Sequence, residues 1–390
     1  FDFQAFSRDR ILHHPTVICC VLLSAVSSGR WVEPTAPATL DVINPATEES
    51  VGQISLGNRN DVNAAVSAAR NAFPSFSRSS KQTRLNLLKS ILSCYNERSA
   101  DLAHAVSVEM GSPITFSREA QVWSGRVHLE STISALEAYE FEHTMASGTR
   151  IVKEGIGVAS LITPWNWPLN QIVCKVAPAL AAGCTVVLKP SEIAPLSGIL
   201  FAEIMAAAGC PSGVFNMVNG DGPEVGEAMA CHPDVDMVSF TGSTRAGVIV
   251  AKAAADTVKR VAQELGGKSA DILLDDVADF GSAVSAGVEG CFANNGQSCD
   301  APTRMLVPRH RHDEALAHAK AAAEAFVVGD PFEEATTMGP VVSAVQWQKV
   351  QSLIDVGIRE GSTLVCGGLG KPGGLDSAGY FVKPTVFGGV

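Results

Sequence analysis

No two of the ten cysteines form a C-x-x-C pair, and none stands at a zinc-site spacing from a histidine, so they outline no structural metal site. Scattered through 390 residues, they do not make a disulfide scaffold either, and a reducing cytoplasm suits them. There is no cluster of basic residues. With a formal net charge of -11, this argues against a nucleic-acid or anionic-membrane surface. A small anionic ligand can still be held by local backbone donors. The apolar run at 17–23, behind Arg8 and Arg10, is too short to span a bilayer. No small-x-small cleavage site follows it, so an ordinary strand or an altered gene start fits better than a secretion signal. Repeats, low-complexity tracts and a G-x-G-x-x-G fingerprint after the first strand are also missing.

What is present is a large core. A hydrophobic content of 46% and a length of 390 residues predict two or three domains. Apolar periodicity predicts helices through 61–108, with Asp61 as a cap, and another over 120–140. Residues 141–156 read as an extended or hairpin connection. From 157 onward, strands alternate with helices of 10–16 residues. The strands fall near 158–163, 185–188, 214–218, 236–240 and 260–264, and the helices near 169–182, 196–208, 223 and 244–257. That alternation predicts an α/β fold with a mostly parallel sheet and a ligand site at its carboxyl edge. After the Gly266-Gly267 turn a second βα region is expected, with helices near 277–293, 312–326 and 343–359 and strands near 304–307 and 363–366.

Three residues carry the chemistry. Cys299, in Gly296-Gln297-Ser298-Cys299, offers a thiol for attack on a carbonyl. Asn166, in Pro164-Trp165-Asn166-Trp167-Pro168, offers an amide for the oxyanion, and Glu264, before Gly266-Gly267, offers a carboxylate to activate water. Taken singly, each has a plainer reading: a buried apolar cysteine, a turn asparagine and an exposed turn carboxylate. Phe240-Thr241-Gly242-Ser243-Thr244 passes from strand to helix in the way that aims backbone N–H groups at a phosphate, or else Ser243 is simply an N-cap. Lys189 and Glu192, at another strand end, suit ribose hydroxyls. The carboxylate disfavours a 2′-phosphate and so favours NAD over NADP, with NADP still possible. Pro164 and Trp165 would shape that pocket. On the helix after Pro168, Asn170, Gln171 and Cys174 share a face with Trp167 nearby, which suits medium-sized or polar substrates if the face lines a tunnel. Asp300 would disfavour anionic substrates.

These motifs, together with Val42-Ile43-Asn44-Pro45-Ala46-Thr47, Ala177-Pro178-Ala179-Leu180-Ala181-Ala182-Gly183-Cys184 and Gly379-Tyr380-Phe381-Val382-Lys383-Pro384-Thr385-Val386, resemble the NAD(P)-dependent aldehyde dehydrogenase superfamily over residues 29–390. The resemblance implies two doubly wound parallel-sheet domains plus a small oligomerisation hairpin. The NAD-binding domain would take 29–129 and 151–265, the first half of the oligomerisation element 130–150, and the catalytic domain 266–390, after an atypical segment at 1–28. It implies Cys299 as nucleophile, Glu264 as general base, Asn166 as oxyanion donor and Lys175 in a proton relay. Around the cofactor it implies Thr163, Pro164, Trp165, Lys189, Ser191, Glu192, Gly222, Gly226, Phe240, Gly242, Ser243, Leu265 and Gly266. Ser298 and Asp300 join the substrate pocket, and no metal is implied. The family's Glu-x-Phe-Gly-Pro motif and the segments after it are not in the sequence. The chain is therefore expected to be a fragment of a parent that forms a homodimer or homotetramer. Two other readings are a coenzyme A-dependent acylating relative, which has no use for a water-activating Glu264, and a non-catalytic NAD-binding remnant.

Overall fold

A computed structural model describes residues 25–27, 29–35, 38–375 and 378–390. The apolar run at 17–23 and nearly all of the atypical segment 1–28 lie outside the described residues. The chain divides into two compact units. Unit 1 takes the described residues up to Val42, then Ser50–Ala105 and Ala120–Glu264; unit 2 takes Ile43–Glu49, Val106–Glu119 and Leu265–Val390. The break at 264/265 lies one residue from the expected boundary. Two excursions were not expected: 43–49 and 106–119 belong with unit 2, while 130–150 belongs to unit 1.

Unit 1 is built on a seven-stranded sheet. Its strands are β1 (Ala25–Ser27), β2 (Arg30–Val32), β7 (Val158–Ile162), β8 (Thr185–Lys189), β9 (Phe215–Met217), β10 (Met237–Gly242) and β11 (Arg260–Leu265), ordered β11-β10-β7-β8-β9-β1-β2. The run from β10 through β7 and β8 to β9 is parallel; β1 and β2 add to it antiparallel. Every residue of β7 and β8 is buried, as a strand covered on both faces requires. Two pairs stand apart from the sheet: β3 (Ala38–Ile43) with β4 (Ser50–Leu56), and β5 (Glu142–Thr144) antiparallel with β6 (Arg150–Val152). The second falls within 141–156, the stretch read as an extended or hairpin connection, and is a hairpin.

The helical stretch expected at 61–108 is three helices: α1 (Arg59–Phe76), α2 (Lys81–Glu97) and α3 (Ser99–Met110). The cap of α1 is Asn58, whose side chain accepts from Asn60 N and Asp61 N. Asp61 completes the capping box by accepting from Asn58 N at 2.9 Å, so it is the reciprocal partner and not the cap. Val62, Ala65, Val66 and Ala69 make the buried stripe of α1. Next come α4 (Trp123–Ala138), α5 (Pro168–Ala181), α6 (Leu196–Ala207) and α7 (Thr244–Ala255). Pro168 opens α5 at its first turn, where a missing N–H is harmless.

Unit 2 contains α8 (Phe280–Phe292), α9 (His312–Glu324) and α10 (Ala344–Arg359). Two strands, β12 (Ala270–Ile272) and β13 (Arg304–Leu306), pair in parallel, and β14 (Thr363–Cys366) pairs antiparallel with β15 (Val386–Gly388). Phe280, Val284 and Val288 of α8 pack with Ala315, Ala319 and Ala323 of α9 as its core. Among the described residues, no helix is long and apolar enough to cross a membrane.

Candidate active site

The carboxyl ends of the parallel strands in unit 1 gather unsatisfied polar groups. Thr163, just past β7, and Thr241, in β10, are 4% and 5% exposed, and neither hydroxyl has a hydrogen-bond partner among the described residues. Asn219, just past β9, is 3% exposed, and neither polar atom of its side chain has one. Buried polar groups are nearly always paired, so three such residues at one sheet edge are donors and acceptors suited to a polar ligand. Neither Thr241 nor Asn219 stood out in the sequence. Their hydroxyl and amide sit in apolar strand patterns, and only the burial makes them conspicuous.

Lys189 closes β8, and its ammonium donates to Glu192 Oε2 at 3.1 Å, the Pro190 carbonyl at 2.9 Å and the Gly220 carbonyl at 2.6 Å. All three of its protons are therefore engaged within the protein. Glu192, half-buried, is the member of the pair with acceptor capacity to spare. Ser191 accepts from Ile193 N at 3.2 Å and shapes the turn. A Cβ on Gly226 would come within 3.9 Å of the Lys189 side chain, whereas Gly222 is exposed with open space around it. At β10 a Cβ on Gly242 would lie 2.6 Å from the Phe240 ring, so glycine is needed there for the close approach. Ser243 is the N-cap of α7, accepting from Ala246 N at 3.3 Å. The remaining first-turn N–H groups of α7 have no intrahelical acceptor and favour an anion.

The loop between β7 and α5 carries Pro164, Trp165, Asn166 and Trp167, all half-buried. Gln121 Nε2 donates to the Asn166 carbonyl at 3.0 Å. Along α5, Asn170, Gln171 and Cys174 are half-buried; Gln171 Nε2 donates to Asn170 Oδ1 at 3.4 Å, and the Cys174 thiol lies 3.6 Å from the Gln171 carbonyl. Lys175 is 8% exposed and donates to Ser239 Oγ at 3.1 Å. Burial holds its ammonium below the ordinary lysine range, against the opposing pull of Cys174 and Glu264. Burial pushes the Cys174 thiol up; Lys175 works against that rise and Glu264 adds to it. The Glu264 carboxylate, exposed near the end of β11, is thus within electrostatic reach of Cys174 and Lys175.

Cys299 lies in unit 2, in a turn where Ala301 N donates to the Ser298 carbonyl at 3.3 Å. Ser298 is half-buried and Asp300 exposed. The loop before Cys299 turns through Asn294, Asn295 and Gly296, all left-handed with φ of 56°, 58° and 71°. Asparagine tolerates that region better than most residues. The buried Asn295 amide pins the turn: Nδ2 donates to the Gly111 and Pro340 carbonyls, each at 2.9 Å, and Oδ1 accepts from Gly339 N at 2.7 Å. Gln297 adds a bond from Val342 N to its Oε1 at 3.0 Å. A Cβ on Gly267 would sit 3.1 Å from the Cys299 carbonyl, so the glycine turn that follows Glu264 and Leu265 runs against the Cys299 backbone. Gly266 is exposed, with open space at its Cβ position.

All eight described cysteines are free thiols. Desolvation raises the pKa of Cys94, Cys174, Cys184, Cys291 and Cys366, and pushes Cys210 up to about 12, which suits packing and not attack. The expected residues thus fall into two sets. Asn166, Lys175, Glu264 and the strand-end residues lie in unit 1; Leu265, Gly266, Ser298, Cys299 and Asp300 lie in unit 2. Sequence reasoning missed Gln121, Ser239 and Asn295. The Asn294-Asn295-Gly296 run was the available sign of a left-handed turn.

A model of the aldehyde dehydrogenase family matches residues 31–390. The chain is 53% identical over 363 residues to the 3-succinoylsemialdehyde-pyridine dehydrogenase of a Pseudomonas species, covering 93% of this chain and 76% of that protein. It is similar to the crystal structure of aldehyde dehydrogenase C from Pseudomonas syringae, a mutant in complex with NAD+ and octanal. The TM-score is 0.92 and the identity 51%, over 94% of this chain and 75% of that one. An aldehyde dehydrogenase from Bartonella henselae gives a TM-score of 0.91 and 49% identity, over 93% and 76%.

Proposed function

The chain belongs to the aldehyde dehydrogenase family, and on that premise we propose that it oxidises a small-molecule aldehyde to the carboxylic acid with NAD, using Cys299, Asn166 and Glu264. The observation that carries the proposal is the Cys299 turn: a free, half-buried thiol that follows a loop anchored by Asn295 and Gln297. Support for NAD comes from the orphaned polar groups of Thr163, Thr241 and Asn219 and from the Glu192 carboxylate. That carboxylate disfavours a 2′-phosphate. The relative crystallised with NAD+ points the same way. When bound, NAD supplies the hydride acceptor that no side chain provides.

The Cys299 thiolate attacks the aldehyde carbon, and the carbonyl electron pair moves onto oxygen to give a thiohemiacetal anion. The Asn166 amide donates to that oxygen; removing one such donor typically slows catalysis by about 10²–10³-fold. Loss of the aldehyde hydrogen as hydride leaves a thioester on Cys299. Glu264 then takes a proton from water as the hydroxide attacks the thioester carbon, and the acid leaves with regeneration of the thiolate. The half-buried face of Trp167, Asn170, Gln171 and Cys174 suits medium-sized aldehydes, including ones with a polar distal group. Relatives that act on a pyridine semialdehyde and bind octanal agree with that size.

The test is NADH formation from octanal, with and without coenzyme A. The wild type should form NADH without coenzyme A, and Cys299→Ser should form none while still binding NAD. Aldehyde oxidation that persists in Cys299→Ser would remove the thiol from the mechanism.

A further inference from the structure

One glutamine holds the loop that carries Asn166. Gln121 is completely enclosed, with 0% of its surface exposed, and its Nε2 donates to the Asn166 carbonyl at 3.0 Å. It sits in Ser117–Val122, a stretch wound as a π-helix directly before α4. Such a looser turn shifts the side chains that follow by about 100° relative to a continuous α-helix, and single π turns recur at functional sites. Here the shift is locked. The Gln121 carbonyl accepts from Ser124 Oγ at 2.8 Å, and the Val122 carbonyl accepts from Tyr95 Oη at 3.0 Å. Tyr95 is itself fully buried, so the backbone on which Gln121 rides is fixed.

The loop at the other end is tied at both of its edges. Thr163 N donates to the Lys189 carbonyl at 3.1 Å, and the Trp167 carbonyl accepts from Gln171 N at 2.9 Å. Gln121 grips the chain between those two anchors. Because the Asn166 carbonyl and side chain share one Cα, a carbonyl held in place restricts where the amide points. We infer that Gln121 is a positioning residue for Asn166, setting the aim of the amide toward the developing oxyanion. The inference rests on the reading of Asn166 as the oxyanion donor. Burying a glutamine amide is costly unless it is hydrogen-bonded, and a misplacement of about 1 Å in such a site slows reaction by about 10²-fold.

The experiment is a double-mutant cycle on the rate of acyl-enzyme formation, read as the NADH burst with saturating octanal. Gln121→Met keeps the length of the side chain and removes the donor. It should slow the burst about 10–100-fold with the KM for NAD unchanged, and adding it to Asn166→Ala should slow that enzyme no further. A burst as fast as wild type in Gln121→Met, or factors that simply multiply in the double variant, overturns the inference. If Asn166→Ala itself reacts at the wild-type rate, the oxyanion assignment falls and takes the inference with it. That pattern is distinct from a slow Asn166→Ala beside a fast Gln121→Met. Should Gln121→Met fail to fold, Gln121→Glu serves in its place. A buried carboxylic acid still donates when protonated, so its burst rate relative to wild type should fall as pH rises. A ratio that is flat with pH overturns the inference.

Discussion

Single buried polar residues set the geometry on which the chemistry depends. Asn295 satisfies Gly111, Gly339 and Pro340 with one amide while holding a left-handed backbone. Removing the amide strands three backbone groups. Asn295→Gly should therefore cost at least about 2 kcal/mol in chemical denaturation. Asn295→Ala should cost about 1 kcal/mol more, since alanine adds strain at this φ. Equal losses in the two variants would show that the backbone conformation matters little. Lys175 offers a pH test. Its folded pKa is depressed by burial, so its charge detracts from stability below that pKa, and the penalty fades as pH rises toward the unfolded value near 10.5. Ser239→Ala removes its hydrogen-bond partner and should destabilise by about 1.5–3 kcal/mol at neutral pH. The deficit should shrink in alkaline solution as Lys175 loses its proton. A deficit that does not change with pH would mean that the hydroxyl serves packing alone.

Among the elements, the junction of the π-helix with α4 is tightly packed. A Cβ on Gly125 would run into the Tyr95 hydroxyl. Gly125→Ala should cost about 1–3 kcal/mol through overpacking, and Tyr95→Phe, which removes the obstructing oxygen, should recover part of it. If the double variant is no more stable than Gly125→Ala, the clash is not the cause. This junction was invisible in the sequence, because a π turn leaves the apolar spacing of 120–140 nearly helical. By contrast β7 and β8 were legible as short apolar runs, and α5 and α7 as periodic helices between turn residues. The cap of α1 was misassigned by three residues, because Asn58 and Asp61 are both good capping types and only the structure separates their roles. The three-residue strand β12 was not read, whereas β9 and β13, equally short, fall inside the strands expected at 214–218 and 304–307.

At the scale of the whole molecule, the units divide after Glu264, beside a Gly266-Gly267 turn that is visible in the sequence. The placing of 43–49 and 106–119 with unit 2 was not, since packing partners far along the chain decide it. The site residues recognised by motif lie in both units, with Cys299 in one and Asn166 and Glu264 in the other. Ligand linkage offers a check that needs no turnover. NAD at about 100 times its Kd should add about 2.7 kcal/mol of stability. The gain should persist in Cys299→Ser, and its loss there would mean that the thiol supports cofactor binding. The measurement that tests the central claim most directly is peptide mass spectrometry of Glu264→Gln after reaction with octanal and NAD. Deacylation should be blocked, and one acyl group should be found on the peptide that contains Cys299. Stoichiometric NADH with the acyl group on another cysteine, or on none, would contradict the account.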